Sequence, residues 1–283
     1  MPTSGQPTLT YRSMTTADLP AAHGLSRQLN WPHRLEDWSL LHRIGTGFVV
    51  TDGERVVGSA FMCAQGDFAS IGLVIVSDDH QGKGAGRRLM DMALAACESR
   101  TPILNATLEG ASLYRRLGFV EYGHVQQHQG EASMTGLPPL GRDETCRALE
   151  TAGDVALLAL ANAGSGLDRR GVLRHLDWEH GVGIERDGQL CGFALLRAFG
   201  RGRCIGPVVA QTVDQARYLI ATLLQKVPGA FVRIDIPVAC GLGEWLNDAG
   251  LQPVATVTQM AIGAPPQPRN GMQPFALITQ AIG

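Results

Sequence analysis

The densest chemistry in the chain lies in Val74-Ile75-Val76-Ser77-Asp78-Asp79-His80-Gln81-Gly82-Lys83-Gly84-Ala85-Gly86-Arg87-Arg88-Leu89. An apolar, β-branched run enters a loop with glycine at every second position, and a helical pattern follows. Glycines let backbone N–H groups approach an anion, and a helix N-terminus adds roughly half a positive charge. The loop therefore reads as a phosphate cradle, with Lys83, Arg87 and Arg88 adding cations. A nucleotide P-loop would place Ser or Thr after the lysine, and a dinucleotide fingerprint would space its glycines G-x-G-x-x-G after the first strand. Here the spacing is G-x-G-x-G after a fourth strand, so both fit poorly.

A second informative stretch begins fifteen residues after Leu89: Leu104-Asn105-Ala106-Thr107-Leu108-Glu109-Gly110-Ala111-Ser112-Leu113-Tyr114-Arg115-Arg116-Leu117-Gly118-Phe119. The first stretch resembles the pyrophosphate loop of the GCN5-related N-acetyltransferases, whose pattern is Q/R-x-x-G-x-G/A; Gln81, Gly84 and Gly86 fall on it. The second resembles that family's fifth strand and fourth helix, ending in L-Y-x-x-x-G-F. The resemblance covers most of residues 9 to 128 and, more weakly, the rest. It implies acetyl transfer from acetyl-coenzyme A to an amine by direct attack. It also implies that strands four and five splay apart to admit the pantetheine, which pairs with the backbones of Val74 and Val76. Gln81, Gly82, Lys83, Gly84, Ala85, Gly86 and Arg87 would hold the diphosphate. A backbone N–H near Ile75 or Val76 would polarise the thioester oxygen.

Tyr114 matches the tyrosine that commonly acts as general acid in the family. A thiol of pKa ~8.5 leaves as thiolate, and a phenol of pKa ~10 can protonate it. The same ring also suits packing of its helix on the sheet. One departure is Thr107, where many relatives carry asparagine; a hydroxyl can still bond the cofactor, but a bidentate amide contact is lost. In this family the first two helices line the acceptor pocket. Trp31 and Trp38 could face a cationic amine, with Asp37 or Glu36 as counter-charge. The competing reading makes them two core tryptophans beside a helix cap at Asn30 or His33. For a general base, Glu36, Asp37, Asp67, Asp78, Asp79 and Glu109 are all available, and a water chain would serve. His80 reads as a surface residue beside the loop.

The elements that must position these residues are legible in the first half. A short strand from Leu9 precedes a helix capped at Thr16-Ala17-Asp18 and a second helix from Arg34 to Ile44. A hairpin turns at Asp52-Gly53, and Phe68 to Val76 is a long strand. A helix carries Leu89, Met90, Ala93, Leu94 and Cys97 at helical spacing. Pro102 to Thr107, Glu109 to Leu117 and Phe119 to His128 complete a strand, helix, strand series. The breaker-rich stretch Gly130 to Arg142 reads as a linker.

Beyond the linker the same element order recurs from a helix at Asp154 to Ala163 onward. Gly47 matches Gly181, Val57-Gly58 matches Cys191-Gly192 and Ile71-Gly72 matches Ile205-Gly206, all at an offset of 134; Gly118-Phe119 matches Gly250-Leu251 at 132. Several matches near one offset indicate duplication. The expected architecture is therefore mixed α/β, with two tandem domains at 1–138 and 139–283. Each is a mixed, mostly antiparallel sheet flanked by helices. At the offset of 134, Gly82, Gly84 and Gly86 fall on Ala216, Tyr218 and Ile220. At 132, Tyr114 falls on Leu246. The second copy thus resembles the degenerate C-terminal domain of tandem family members, without a coenzyme A site. Ile205-Gly206-Pro207 and Ile234-Asp235-Ile236-Pro237 support it. Asp168-Arg169-Arg170 and Asp235 read as solvated or capping residues, or as reaching a shared pocket.

Composition narrows the partners. Lys plus Arg is 24 against 26 Asp plus Glu, a net charge of -2, so no electrostatic footprint for nucleic acid exists. At 45% hydrophobic and 18% charged residues, the chain is globular in composition. Met1 to Thr10 lacks a secretory pattern and the longest uncharged run is broken by prolines, which points to a cytoplasmic protein without membrane contact. Cys63, Cys97, Cys146, Cys191, Cys204 and Cys240 show no metal or disulfide spacing, and the histidines show none for metal. The expected partner is a small-molecule amine, amino-acid-like or simpler. The chain would act as a monomeric internal pseudo-dimer or as a homodimer. The rival readings are a transferase for another acyl group and a non-catalytic, coenzyme A-binding regulatory module.

Overall fold

The structure is a computed structural model that describes residues 9–133, 136–150 and 155–283. Residues 1–8, most of the stretch read for a secretory pattern, lie outside the described residues, as does Asp154. In the first half, β1 (Leu9–Ser13) leads through a short turn of 3-10 helix into α1 (Leu19–Gln28) and α2 (Leu35–Ile44). The hairpin β2 (Thr46–Asp52) and β3 (Arg55–Gln65) follows, then β4 (Phe68–Val76), α3 (Ala85–Cys97), β5 (Thr101–Ala106), α4 (Leu108–Arg116) and β6 (Val120–Glu131). The second half has β7 (Glu144–Leu149), α5 (Val155–Ser165), α6 (Arg170–Leu173), β8 (His180–Arg186), β9 (Gln189–Phe199) and β10 (Gly202–Ala210). It ends in α7 (Val213–Leu224), β11 (Phe231–Pro237), α8 (Gly243–Asp248), β12 (Gln252–Ala261) and β13 (Gln273–Ala276). No helix among the described residues is long and apolar enough to cross a membrane.

The offset of 134 carries β2 onto β8, β3 onto β9 and β4 onto β10 from end to end. It fails at the next element, because α3 and α7 begin only 128 apart. Eight residues connect β4 to α3, whereas Gln211 and Thr212 alone connect β10 to α7. The assignment of Gly82, Gly84 and Gly86 to Ala216, Tyr218 and Ile220 is therefore corrected: those three lie inside α7, and the glycine loop has no counterpart.

The thirteen strands among the described residues form one mixed sheet, in the order β1-β2-β3-β4-β5-β12-β6-β11-β10-β9-β8-β7, with β13 beside β10. The halves exchange their last strands. β12, from the second half, pairs with β5 of the first through Thr258↔Ala106 to Ala261↔Ile103, while β6 pairs with β11 through Phe231↔Glu131 to Pro237↔Val125. β6 and β12 pair with each other at the centre. Helices α1, α2 and α5 cover one face around a single core that takes Trp38, Phe61 and Leu73 from one half and Leu157, Phe193 and Val209 from the other. On the opposite face α3 and α4 pack on the first half, and α7 and α8 on the second.

Candidate active site

The loop from Ser77 to Gly84 is clipped to the sheet by its own side chains. Gln81 Nε2 donates to the carbonyl oxygen of Val76, which ends β4, and to Asp78 Oδ1, each at 3.0 Å. His80 is buried rather than on the surface: its ring sits between Ser77 Oγ at 3.0 Å and Asp52 Oδ2 at 3.1 Å, tying the loop to the end of β2. Gly82 and Gly84 have φ of +73° and +83°, the left-handed region that glycine occupies without steric cost, and no atom stands within 4 Å of where a Cβ would be. Gly84 is the N-cap of α3 and brings no side-chain cap, so the first N–H groups of the helix receive no side-chain acceptor from it. That cradle fits a phosphate group. Lys83 Nζ donates to the carbonyl of Asp79 at 2.8 Å and Arg87 pairs with Asp91 at 2.9 Å, both at the exposed rim. Arg88 lies over the ring of Tyr11, 5.0 Å from its centroid.

Beside this loop the sheet opens. β4 and β5 pair in parallel from Phe68↔Thr101 to Ile71↔Leu104 and no further, although β4 continues to Val76 and β5 to Ala106. At the same level the register between β3 and β4 slips, with Phe61 opposite Gly72 but Ser59 opposite Ile75. Leu73 lies in the resulting bulge at φ +48°, and the buried hydroxyl of Ser59 donates to its carbonyl at 2.8 Å. A bulge bends its strand locally, and this one turns β4 away from β5 where the splay begins. Val74 and Val76 remain half-buried along the freed edge, packed beside α3 and α4.

Across the splay, Thr107 caps α4, its hydroxyl accepting from Gly110 N at 3.3 Å. Tyr114 stands two turns on, so Thr107, Gly110 and Tyr114 share one helix face. A Cβ on Gly110 would come within 3.0 Å of Tyr114 Cε2 and 3.5 Å of Thr107 Oγ1, so the missing side chain makes room for the ring. Tyr114 is buried, meets Phe119 edge-on at 6.0 Å, and its hydroxyl has no hydrogen-bond partner among the described residues. Burial pushes its pKa up to about 12.

A cleft of about 310 Å³ opens at the foot of the splay, where Gly72, Leu73 and Thr107 meet the Asn30–His33 segment that joins α1 to α2. Its remaining walls come from the exchanged strands and the second half, including Gln127, Val254, Arg201 and Arg233. Trp31 lines the cleft, but two expected acceptor residues do not. Trp38 has no exposed surface; it packs edge-on to Phe61 at 5.6 Å and donates from Nε1 to Ser26 Oγ at 3.3 Å. Asp37 is also buried: its Oδ2 caps α2 by accepting from Arg34 N at 2.8 Å, and its Oδ1 lies 3.5 Å from both Arg34 and Arg197. It is saturated by these cations and cannot serve as counter-charge to an amine. Both assignments are corrected on that ground, and none of the carboxylates considered for a general base lines the cleft. The ionised side chains that do are Arg201 and Arg233. Arg233 is held by Asp235 through Nε and Nη2, whereas Arg201 stacks on Phe231 at 4.9 Å and has no ion-pair partner among the described residues. His33 completes the wall, with its pKa pushed down to about 3 by burial and then by Arg233 and Arg197.

Two family models, each described as an acetyltransferase (GNAT) domain, match residues 43–121 and 157–276. The chain belongs to the GCN5-related N-acetyltransferase superfamily as a tandem member. It is 29% identical over 274 residues to the uncharacterized N-acetyltransferase YitH of Bacillus subtilis (strain 168), covering 92% of this chain and 93% of that protein. An inferred acetyltransferase from Pyrococcus horikoshii shares the fold at a TM-score of 0.76 and 18% identity, covering 100% of this chain and 99% of the other. A tandem GNAT protein from the clavulanic acid biosynthesis pathway does so at 0.63 and 15%, covering 93% and 100%.

In this tandem acetyltransferase fold the second half lacks the open loop and the open splay of the first. The N-terminus of α7 is satisfied internally, with Thr212 Oγ1 accepting from Gln215 N at 3.2 Å and Gln215 Oε1 accepting from Gln211 N at 2.8 Å. β10 and β11 part after Ile205↔Ile234, at the position equivalent to the first splay. The gap is filled by β13, which pairs with β10 through Val208↔Ala276, and by Leu277 N donating to the carbonyl of Asp235 at 2.9 Å. β13 escaped the sequence reading because it is four residues long and contains Pro274. Ser59, Arg201 and Arg233 escaped it too. A serine in a strand and arginines in another half carry no local signal of what they will face.

Proposed function

We propose that the first half transfers the acetyl group of acetyl-coenzyme A to the primary amine of a small, acidic, amino-acid-like molecule. The observation that carries this reading is the cleft at the foot of the splay, whose ionised lining is Arg201 and Arg233 with no carboxylate. An amine lacking a negative group would gain nothing from these cations. The phosphate cradle at Gln81, Gly82, Lys83, Gly84, Ala85, Gly86 and Arg87 and the open edge of β4 along Val74, Ile75 and Val76 fit the co-substrate, with Thr107 facing them across the splay. Bound there, acetyl-coenzyme A supplies the thioester.

The chain's residues then divide the work. Arg201 holds the acid group of the acceptor, with Arg233, itself paired to Asp235, beside it, and Trp31 forms one side of the pocket. The amine nitrogen attacks the thioester carbon, a C–N bond forms and the C–S bond breaks. A backbone N–H on the freed edge of β4 stabilises the oxyanion, and the Tyr114 hydroxyl donates to the departing thiolate. His33, with its pKa about 3, is neutral at pH 7 and too weak a base to take the ammonium proton, which leaves through water.

The test is coenzyme A release from the full chain with amino acids, dipeptides and their decarboxylated counterparts. Acidic acceptors should turn over, and Arg201→Ala should raise their KM by about tenfold, the loss of one exposed ion pair with a hydrogen bond. Turnover confined to decarboxylated amines, or a KM untouched by Arg201→Ala, would reject the acidic acceptor.

A further inference from the structure

The second half keeps a cavity of about 560 Å³ that is the counterpart of the first half's cleft. Pro207 stands where Leu73 does, Gln259 where Gln127 does, and Tyr122 where Val254 does. The segment from the last residue of α5, Ser165, to Arg169 takes the place of Asn30–His33. The turn that lies on each segment is also repeated. Gly200 would press a Cβ on the carbonyl of Pro32, and Gly66 would place one 3.3 Å from Asp168 Cβ. Loop deletion and β13 have removed the route for a cofactor, yet the room for a small molecule remains.

What lines that room differs from the catalytic cleft. Most of the wall is apolar, with Val209, Leu277 and several prolines, and one cation projects into it. Arg169 is 5% exposed. Its Nη1 donates to Gln65 Oε1 at 2.6 Å and to the carbonyl of Ile282 at 3.0 Å, and its Nε donates to Ser165 Oγ at 3.1 Å. Nη2 makes no hydrogen bond, and no carboxylate oxygen lies within 4.0 Å of the guanidinium among the described residues; Gly283 stands beside it in the cavity wall, where a Cβ would lie 3.6 Å from Nη2. A buried charge is normally paired, because an unpaired ion is costly to remove from water. A second group is also unsatisfied. Asn105 Oδ1 is buried without a partner in the wall the cavity shares with the cleft, while its Nδ2 is fixed on the carbonyl of Gln280 at 2.8 Å.

We propose that this cavity is a binding site for a small apolar monocarboxylate, its anionic group on Arg169 Nη2 and its body against Val209 and Leu277. It takes up the organic acid as it is, because the second half holds no acyl donor.

The test is calorimetric titration of the full chain, saturated with coenzyme A to occupy the first half. The probes are straight-chain carboxylates from hexanoate to dodecanoate and 3-phenylpropionate, each beside its uncharged alcohol. At least one carboxylate should bind with a stoichiometry near one and about tenfold more tightly than its alcohol. Arg169→Met should weaken that binding by about tenfold or more, and Arg201→Ala, in the catalytic cleft, should leave it unchanged. Because Arg169 also braces Gln65 and Ile282, a second variant is needed should the first fail to fold. Ala239→Trp sits on the exposed rim of the cavity and should weaken binding by obstruction alone. The proposal is overturned if no probe binds, if alcohols bind equally well, if a folded Arg169→Met or Ala239→Trp binds as tightly as the parent, or if Arg201→Ala abolishes binding.

Discussion

Replacing Tyr114 with phenylalanine removes one oxygen from a ring whose packing against Phe119 and Gly110 is unaffected. That hydroxyl has no protein partner among the described residues, so its loss should change stability by less than about 0.5 kcal/mol. The effect on turnover depends on the phenol's acidity. At the ordinary pKa of ~10, proton transfer to a thiolate of pKa ~8.5 is mildly uphill. At about 12, it is uphill by about 5 kcal/mol, at 1.36 kcal/mol per unit. On the proposed mechanism the hydroxyl would therefore stabilise the leaving thiolate chiefly as a hydrogen-bond donor. Such a bond to an anion is worth ~1.5–3 kcal/mol, or about 10- to 100-fold in kcat, below the ~10²–10⁴-fold typical of full general acid catalysis. The assay is coenzyme A release with a proven acceptor, alongside the coenzyme A Kd and the Tm, both of which should stay at parental values. As the phenol remains protonated well above neutrality, its ionisation should add no falling limb to the kcat profile up to about pH 10. An unchanged kcat would leave Tyr114 as a packing residue, and a loss beyond about a thousandfold would show that the proton is fully transferred.

One coenzyme A should bind per chain, and Gly84→Val should abolish it, because a branched residue at φ +83° costs at least ~1–2 kcal/mol and puts a side chain in the cradle; a stoichiometry near two, or binding that survives, contradicts the assignment. A fragment of residues 1–138 should aggregate or fail to fold as a monomer, since both strands that pair with β6 come from beyond it; a soluble monomer with the parent kcat/KM would refute this. Asp18→Asn should lower stability at pH 7 by about 1 kcal/mol or more, read as a fall in Tm, as Asp18 accepts from Thr15 N at 2.8 Å and Thr15 Oγ1 at 2.9 Å and pairs with Arg12 at 2.7 Å. The Arg12 guanidinium holds the Asp18 carboxyl well below the usual carboxylate range. Its contribution is therefore full above the ordinary pKa of ~3.9 and fades as pH falls below it, so the gap between parent and variant should narrow from pH 5 toward pH 2; a constant gap would exclude it.

Local pattern in the chain was sufficient to place the elements around the candidate site in the first half. The glycine loop, the amphipathic helix behind it and the seven-residue interval from Thr107 to Tyr114 are short-range features, and turn geometry and helical period convert them directly into position. The end-to-end match of three strands at an offset of 134 came from the same kind of reading. What the residue pattern left open was which strands would meet. β6 and β12 are copies with equivalent edges, so no periodicity in either could announce that each would pair beside the other half's fifth strand. Trp38 and Asp37 sit on a helix with apolar and charged residues on several sides, and only the packed structure showed the first inside the common core and the second between Arg34 and Arg197. Arg201 and Arg233 come to line the cleft, and β13 becomes the strand that fills the second splay, only once distant segments share one sheet. Turns and helices are specified by residues a few positions apart, whereas the lining of a cleft between two halves is specified by contacts that carry no local trace.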